Sequence, residues 1–247
     1  MHSKLEEIIS KTREDLEKRK QQIPNFFYKA MTSPKYGSIA IIAEVKFASP
    51  TESKLGSKDQ LLERVKQYKK AGADAISIVT EKHFFKGDPK FVGQIKKVTS
   101  LPVLQKDFIV DEYQIHEVVK AGADAILLIT KLLSKEQLIK FIEIAQSLRL
   151  EPVVEINDEA ELEKAVATNT GIIAVNARDL DTFIVDVDKA CGLLQKIPDR
   201  FIKLGFSGIL SRVEVEKYQK AGAKGVLIGT ALMKTQNVAE FIEGVRI

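Results

Sequence analysis

Four of the short apolar runs in this sequence end in charged or amide side chains. Packing of the core alone does not explain side chains of these types at those positions. Glu44 and Lys46 end the first run and lie on the same side of it, because side chains alternate along a strand. Taken singly, a lysine or glutamate here could be a surface residue or a simple ion-pair partner. Buried together, they must pair, and pairs of this kind supply an acid and a base for proton transfer. The candidate catalytic residues are Lys106, Glu155, Lys46, Glu44 and Asn176.

Small residues follow two later apolar runs, as Ser207-Gly208 and Gly229-Thr230. Small side chains let backbone N–H groups approach a ligand, and a short helix beginning at Thr230 would direct its positive end to the same point. Either pair by itself is also common in ordinary turns. The occurrence of both favours a phosphate-binding site over plain turns.

Two further segments could contribute to a ligand site. The loop after the first run, residues 47–56, contains Ser49, which could donate a hydrogen bond to an anion; the loop is either a lid or a solvated connection. Phe84, Phe85 and Phe108 lie near the ends of other runs. They either belong to the core or form an apolar pocket for an aromatic ring.

Three related segments mark turns from helix to strand: Lys70–Ile76, Lys120–Ile126 and Lys220–Val226. Each follows an amphipathic helical segment and precedes an apolar run. The glycine in each copy is therefore predicted to end a helix in the left-handed conformation, and the residues after it to enter a buried strand.

Eight apolar runs recur about every 25 residues, separated by helical patterns, and they show little alternation, as in parallel strands covered on both faces. This indicates an α/β protein with a (β/α)8 TIM barrel fold, whose chemistry would lie where strands lead into the following loops. An open doubly wound sheet is the alternative, but the glycine fingerprint after the first strand is absent. The predicted strands are 39–45, 75–80, 102–104, 125–130, 152–156, 172–175, 201–204 and 226–228.

An extra helix is predicted before the first strand, over Lys4–Gln22, with Leu5, Ile8 and Ile9 on one face. We expect it to close one end of the barrel; a role at the active site is the alternative. The whole chain, 1–247, is predicted to be a single domain, with residues 1–38 as an N-terminal helical extension.

Composition excludes several classes of protein. The chain has 247 residues, of which 45% are hydrophobic and 29% charged, and no apolar run approaches the ~20 residues that span a membrane. The net charge of +4 is spread among interleaved lysines and glutamates, which argues against nucleic acid as a partner and permits an anionic substrate. With one cysteine, Cys191, and three histidines in no ligand spacing, we expect no disulfide, no metal site and a cytoplasmic location.

Seven ordered motifs extend over nearly the whole chain: Ile42–Lys46 with Ser49-Pro50, Thr80–Gly87, Pro102–Ile109, Val154–Asn157, Val175–Leu180, Ser207–Ile209 and Ile228–Met233. Together they resemble the indole-3-glycerol phosphate synthase family of tryptophan biosynthesis. The resemblance implies a carbon–carbon carboxy-lyase without a cofactor. Its substrate would be 1-(2-carboxyphenylamino)-1-deoxyribulose 5-phosphate, which closes to an indole with loss of carbon dioxide and water.

The resemblance also implies roles for individual residues. Lys106 would be the general acid that protonates the ketone oxygen, and Glu155 would transfer a proton during dehydration. Lys46 would contact the substrate carboxylate, while Glu44 and Asn176 hold and polarise the lysines and hydroxyls. The sugar and phosphate would be held by Ser49, Arg178, Ser207, Gly208, Gly229 and Thr230, and the aryl ring by Pro50, Phe85, Phe108 and Leu180.

The sequence departs from the family at three places. Phe206 stands where a glutamate is usual, Phe47 stands where a basic residue is usual, and the first loop is longer than the family's Ser-Pro-Ser pattern. These departures leave open a paralogue that binds a phosphorylated ligand with weak or lost catalysis. A phosphosugar isomerase of related fold would need a cysteine and aspartate pair at strand ends, and Cys191 lies in a helical pattern. The oligomeric state is expected to be a monomer or weak homo-oligomer.

Overall fold

The eight apolar runs form eight parallel strands, each hydrogen-bonded to the next and the last to the first, so that the sheet closes into a barrel. The computed structural model describes residues 3–21 and 26–247. The predicted (β/α)8 fold is confirmed. The strands are β1 Ala40–Val45, β2 Ala75–Val79, β3 Val103–Lys106, β4 Ala125–Ile129, β5 Glu151–Ile156, β6 Ile172–Asn176, β7 Ile202–Phe206 and β8 Gly225–Ile228.

Helices follow the strands and surround the barrel. Several begin at a side chain that caps the first turn: Asp111, Ser134 and Ser211 each form a reciprocal capping box with the third helical residue. The helices are α1 Ser3–Gln21, α2 Phe26–Thr32, α3 Leu61–Lys70, α4 Lys90–Lys96, α5 Glu112–Ala121, α6 Lys135–Ser147, α7 Glu159–Val166, α8 Val187–Lys196, α9 Arg212–Lys220, α10 Thr230–Lys234 and α11 Val238–Val245, with 3₁₀ turns at Lys58–Gln60 and Thr130–Leu132. No helix in the described ranges combines the length and apolar character that crossing a membrane requires.

The three repeated segments form the predicted turns, and their glycines take φ angles of 88°, 88° and 96°. The aspartates of the first two copies hold the neighbouring strand. Asp74 accepts a hydrogen bond from the Ile41 backbone N–H at 2.9 Å, and Asp124 accepts one from Val103 at 2.7 Å. The repeat therefore fixes the amino-terminal ends of β1 and β3. The third copy has Lys224 in this position.

Two apolar clusters form the core. One lies between the sheet and the surrounding helices, and the other fills the barrel itself, with Ile42, Leu104 and Leu127 among its members. The interior cluster is closed at the amino-terminal ends of the strands by α2, whose Phe27 and Met31 are 0% and 1% exposed. Their spacing of four residues places both on one face of the short helix.

The prediction that the first helix closes the barrel is wrong. Helix α1 is present over Ser3–Gln21, with Gln22 outside the described residues, but Leu5, Ile8 and Ile9 are 45%, 53% and 36% exposed. The closing element is α2, a seven-residue helix too short to show a clear period in the sequence.

Glu151, the first residue of β5, is a buried carboxyl at the amino-terminal end of the barrel, 6% exposed and without a hydrogen-bonding or charged partner among the described residues. Burial raises its pKa to about 7. Between pH 4.5, the ordinary pKa of a glutamate, and about pH 7, the Glu151 carboxyl therefore keeps its proton in the folded state and loses it in the unfolded chain. The contribution of this protonated carboxyl to the free energy of unfolding is fully present below about pH 4.5 and is lost as the pH rises through 7.

We expect Glu151→Gln to raise the free energy of unfolding by roughly 2–3 kcal/mol at pH 8 and to change it little at pH 4.5, because the amide cannot ionise. Urea unfolding at several pH values measures both. Glu117→Gln, which removes a charge from the exposed face of α5, is the control. An equal effect of Glu151→Gln at both ends of the range would show that ionisation of this carboxyl does not limit stability.

Candidate active site

A cavity of about 1010 Å³ opens at the carboxyl ends of the strands. Every residue that the sequence singled out for catalysis or binding lines it. A site assembled in this way takes one or two side chains from each of several strands, as barrel enzymes do. The predicted residues in its wall are Glu44, Lys46, Ser49, Pro50, Phe85, Lys106, Phe108, Glu155, Asn176, Arg178, Leu180, Ser207, Gly208, Gly229 and Thr230.

A lysine, a glutamate and an asparagine from three strands form a hydrogen-bonded chain in the cavity. Lys106 Nζ lies 2.8 Å from Glu155 Oε2, and Asn176 Nδ2 donates to Glu155 Oε1 at 3.1 Å. The Glu155 side chain is 2% exposed and the Lys106 side chain 20% exposed. Because both carboxylate oxygens are engaged, the pair presents the ammonium group to the cavity in a fixed position.

A second ion pair joins Glu44 of β1 to Lys46, the first residue after that strand. Lys46 Nζ is 2.8 Å from Glu44 Oε1, and the two side chains are 15% and 2% exposed. Gly229, after β8, is in contact with them: a β-carbon there would overlap the Glu44 carboxylate and lie 3.0 Å from Lys46 Nζ. The glycine is therefore needed for the close approach of the β8 backbone to this pair.

The segment after β7 has two successive left-handed residues. Ser207 and Gly208 both take left-handed conformations, with φ of 72° and 76°, which turns successive backbone groups toward one side. Val185 and Val187 pack against Gly208 and leave no room for a side chain. Thr230 is the first residue of α10, which follows the neighbouring strand β8, and it lines the same cavity.

Arg178 is partly committed within its own loop. Its Nη1 donates to the carbonyl of Phe183 at 3.0 Å, and its backbone N–H donates to Asn176 Oδ1 at 3.0 Å. The guanidinium still lines the cavity and has further N–H groups for a ligand.

An aromatic pair forms the other side of the cavity. The rings of Phe85 and Phe108 have centroids 6.2 Å apart and are tilted by 41°. The loop that carries Phe85 is shaped by Glu81, whose carboxylate accepts the backbone N–H groups of His83, Phe84 and Phe85 at 2.6, 2.7 and 2.9 Å. Burial by itself would raise the pKa of Glu81, but the three hydrogen bonds together outweigh it and the pKa is lowered.

The first loop is closed on itself. Ser49 and Glu52 exchange backbone hydrogen bonds of 2.8 and 3.1 Å, and the Ser49 hydroxyl accepts a third from the Glu52 N–H at 3.1 Å. Glu52 also pairs with Lys234 of α10 at 2.6 Å. The loop thus bridges the wall near β1 to the wall near β8, and the proposal that it acts as a lid stays a prediction.

A family model for indole-3-glycerol phosphate synthase matches residues 2–245. The chain belongs to this family. A relative of that name from Caldanaerobacter subterraneus subsp. tengcongensis is 41% identical over 98% of both chains, and one from Campylobacter hominis is 38% identical over 95% of both. A solved 3-hexulose-6-phosphate synthase superposes with a TM-score of 0.68 at 15% identity, covering 84% of this chain and 98% of that one, which supports the fold alone.

Two departures from the indole-3-glycerol phosphate synthase pattern take different places in the structure. Phe47 points away from the cavity and packs edge-on against Phe91 of α4, with centroids 5.5 Å apart, so that it belongs to the outer core. Phe206 lines the cavity, and its ring lies 5.4 Å from Lys106 Nζ. Only Phe206 alters the surroundings of the predicted catalytic residues.

Sequence reasoning gave no role to Glu81, although it follows the end of β2 just as the candidate residues follow other strands. The same rule of polar residues at strand ends would have found it. It also missed Asp107, which lines the cavity and accepts a 2.5 Å hydrogen bond from the Thr80 hydroxyl. Within the described residues no cluster of histidine, cysteine, aspartate and glutamate could hold a metal ion.

We expect Gly229→Ala to lower kcat/KM by roughly 10- to 100-fold, because a methyl group would displace the Glu44 carboxylate from Lys46. The backbone φ of −117° is not left-handed, so the close contact with Glu44 is the main obstacle to a side chain here. Gly192→Ala in α8, where nothing lies within 4 Å, should leave kcat/KM unaltered. Steady-state kinetics with matched thermal unfolding checks both, and a fully active Gly229→Ala would show that the close approach is dispensable.

Proposed function

We propose that this chain converts 1-(2-carboxyphenylamino)-1-deoxyribulose 5-phosphate to indole-3-glycerol phosphate, carbon dioxide and water. The single observation that carries the proposal is the Lys106–Glu155 pair, with Nζ and Oε2 2.8 Å apart in the wall of the shared cavity. An acid and a proton acceptor in contact are what ring closure followed by dehydration requires. Membership of the family supports the same reaction.

The two ends of the substrate match the two sides of the cavity. Backbone N–H groups at Ser207-Gly208 and Gly229-Thr230 would hold the phosphate, with Arg178 and Ser49 reaching it and the sugar hydroxyls. The aryl ring would lie against Phe85 and Phe108, with Pro50 and Leu180 completing that side. Fixing both ends brings the ring carbon and the ketone into contact.

The first step forms a carbon–carbon bond. The ring carbon that bears the carboxylate attacks the ketone carbon, and Lys106 donates a proton to the ketone oxygen so that no alkoxide accumulates. Lys46 lies near the carboxylate and orients it. When carbon dioxide leaves, the electron pair of the broken bond returns to the ring and restores its aromaticity.

The second step removes water. The hydroxyl formed from the ketone receives a proton from the Lys46 ammonium group and leaves as water, because Lys106 gave its proton in the first step. Glu155 accepts a proton from the neighbouring CH₂ carbon, which gives the indole double bond, and Lys46 regains its proton from solvent. The 2.8 Å contact then returns that proton from Glu155 to Lys106. Asn176 keeps Glu155 in place, and Glu44 keeps Lys46 in place. Overall one proton is taken from solvent.

A ligand-binding paralogue with weak or lost catalysis is the second candidate, and the observation that favours it is the buried Phe206 beside Lys106. The isomerase alternative is not supported: Cys191 lies in α8 outside the cavity, and burial raises the pKa of its thiol.

We further propose that the chain acts in the cytoplasm on a small phosphorylated molecule, without cofactor, metal, nucleic acid or membrane, as a monomer or weak homo-oligomer. The single cysteine and the evenly spread charge support this setting. Residues 1–247 would form one domain, with 1–38 as a helical extension.

We expect Lys106→Ala to lower kcat by at least about 100-fold, because it removes the general acid. Indole fluorescence follows product formation. Lys140→Ala, an exposed lysine of α6 outside the cavity, serves as the control for loss of a positive charge. A wild-type protein no faster than Lys106→Ala would indicate the ligand-binding paralogue instead.

A further inference from the structure

Phe206 ends β7 and points into the barrel, where it is 1% exposed. Its backbone is fixed on both sides: the carbonyl accepts hydrogen bonds from the Ala177 N–H at 2.9 Å and from the Tyr218 hydroxyl at 3.2 Å. The register places it beside Asn176 on β6 and Leu227 on β8. The backbone that carries the ring is therefore held in one position by the sheet around it.

The ring of Phe206 reaches Lys106 from the opposite wall. Strands β3 and β7 are four apart in a closed barrel of eight, so the two side chains approach each other across its interior. The ammonium nitrogen lies 5.4 Å from the ring centroid, within the range of a cation–π contact. Its ion-pair partner, Glu155, extends from β5, and Glu155 Oε2 lies 2.8 Å from Lys106 Nζ.

The two neighbours of the ammonium group differ in what they can do. Glu155 attracts the cation and can also accept its proton, whereas an aromatic face attracts the cation and accepts none. Phe206 also covers this side of the ammonium group with carbon, next to Leu127 and Leu227 in the cavity wall, where water would otherwise compete.

We propose that Phe206 is a positioning residue for the reaction proposed above: the face of its ring holds the Lys106 ammonium group toward the centre of the cavity. The inference rests on the proposed function, since the position matters for proton donation to the ketone. Of the two groups that contact the Lys106 ammonium nitrogen, only Glu155 can accept its proton, and Phe206 holds the group without competing for that proton.

The first test compares two substitutions at position 206. Phe206→Leu keeps an apolar side chain but has no aromatic face, and we expect kcat to fall by about tenfold with KM within twofold. Phe206→Glu loses the apolar ring but attracts the cation by charge, and we expect kcat within threefold of wild type. If the ring acted only by filling space, leucine would replace it, so a Phe206→Leu variant with the kcat of the wild type would overturn the inference.

The second test keeps the shape of the ring and weakens its attraction for a cation. Phenylalanine carrying one, two or three fluorine atoms at position 206 should lower kcat stepwise, to roughly a tenth for the trifluoro ring, at constant KM and Tm. The same series at Phe27, which is buried at the other end of the barrel in α2, is the control and should leave kcat unchanged. A flat series at position 206 would overturn the inference.

A third measurement separates failure of the inference from failure of the proposed function. In the free protein, the ring current of Phe206 should shift the NMR signal of the Lys106 methylene next to the ammonium group, and Phe206→Leu should abolish that shift. This measurement needs no substrate. An inactive wild type that shows the shift would refute the proposed reaction and support the contact, whereas absence of the shift would refute the contact whatever the activity.

Discussion

The pairing of two buried glutamates with two lysines is the constraint on which the site depends. Glu44 and Glu155 are each 2% exposed, and a lone carboxylate at that depth would cost several kcal/mol. Lys46 and Lys106 neutralise them, each with Nζ 2.8 Å from the glutamate oxygen. The two ammonium groups are thus held in place by the protein alone, and for the proposed reaction this would let them stabilise a developing charge without rearrangement.

The two ends of the barrel differ in the residues they carry: one end holds the strands together, and the other contains the candidate site. At the amino-terminal ends, Asp74 and Asp124 hold backbone N–H groups of neighbouring strands, and Phe27 of α2 fills the interior. At the carboxyl ends the same strands present charged groups, and Ser207 takes a left-handed conformation unusual for a residue with a side chain. The apolar interior and its closure by α2 stabilise a barrel whose other end contains costly buried charges and strained backbone.

The fold could be predicted because parallel strands buried on both faces leave apolar runs, and the repeated glycine turns fixed the spacing between them. The convergence of Lys106 and Glu155 followed from the rule that strand ends meet in a barrel. The closing element could not be predicted, since Phe27 and Met31 in a seven-residue helix show no period, whereas the longer α1 does and leaves Leu5 exposed. Likewise, contact of Phe206 with a residue four strands away depends on barrel diameter and on ring orientation, which no local pattern records.

Phe206 and Phe47 stand where the family usually has a glutamate and a basic residue, and both of those groups can carry a proton. Lys106, Glu155 and Asn176 retain an unbroken chain of charge-assisted contacts, and a ring at position 206 neither donates a proton to that chain nor accepts one from it. Phe206 can therefore attract the ammonium group but takes no part in a proton route through Lys106 and Glu155, whereas the usual glutamate could. Phe47, packed on Phe91 outside the barrel, lies still further from that route. The hydrogen-bonded chain of Lys106, Glu155 and Asn176 is therefore the part of the predicted site that these two departures leave unchanged.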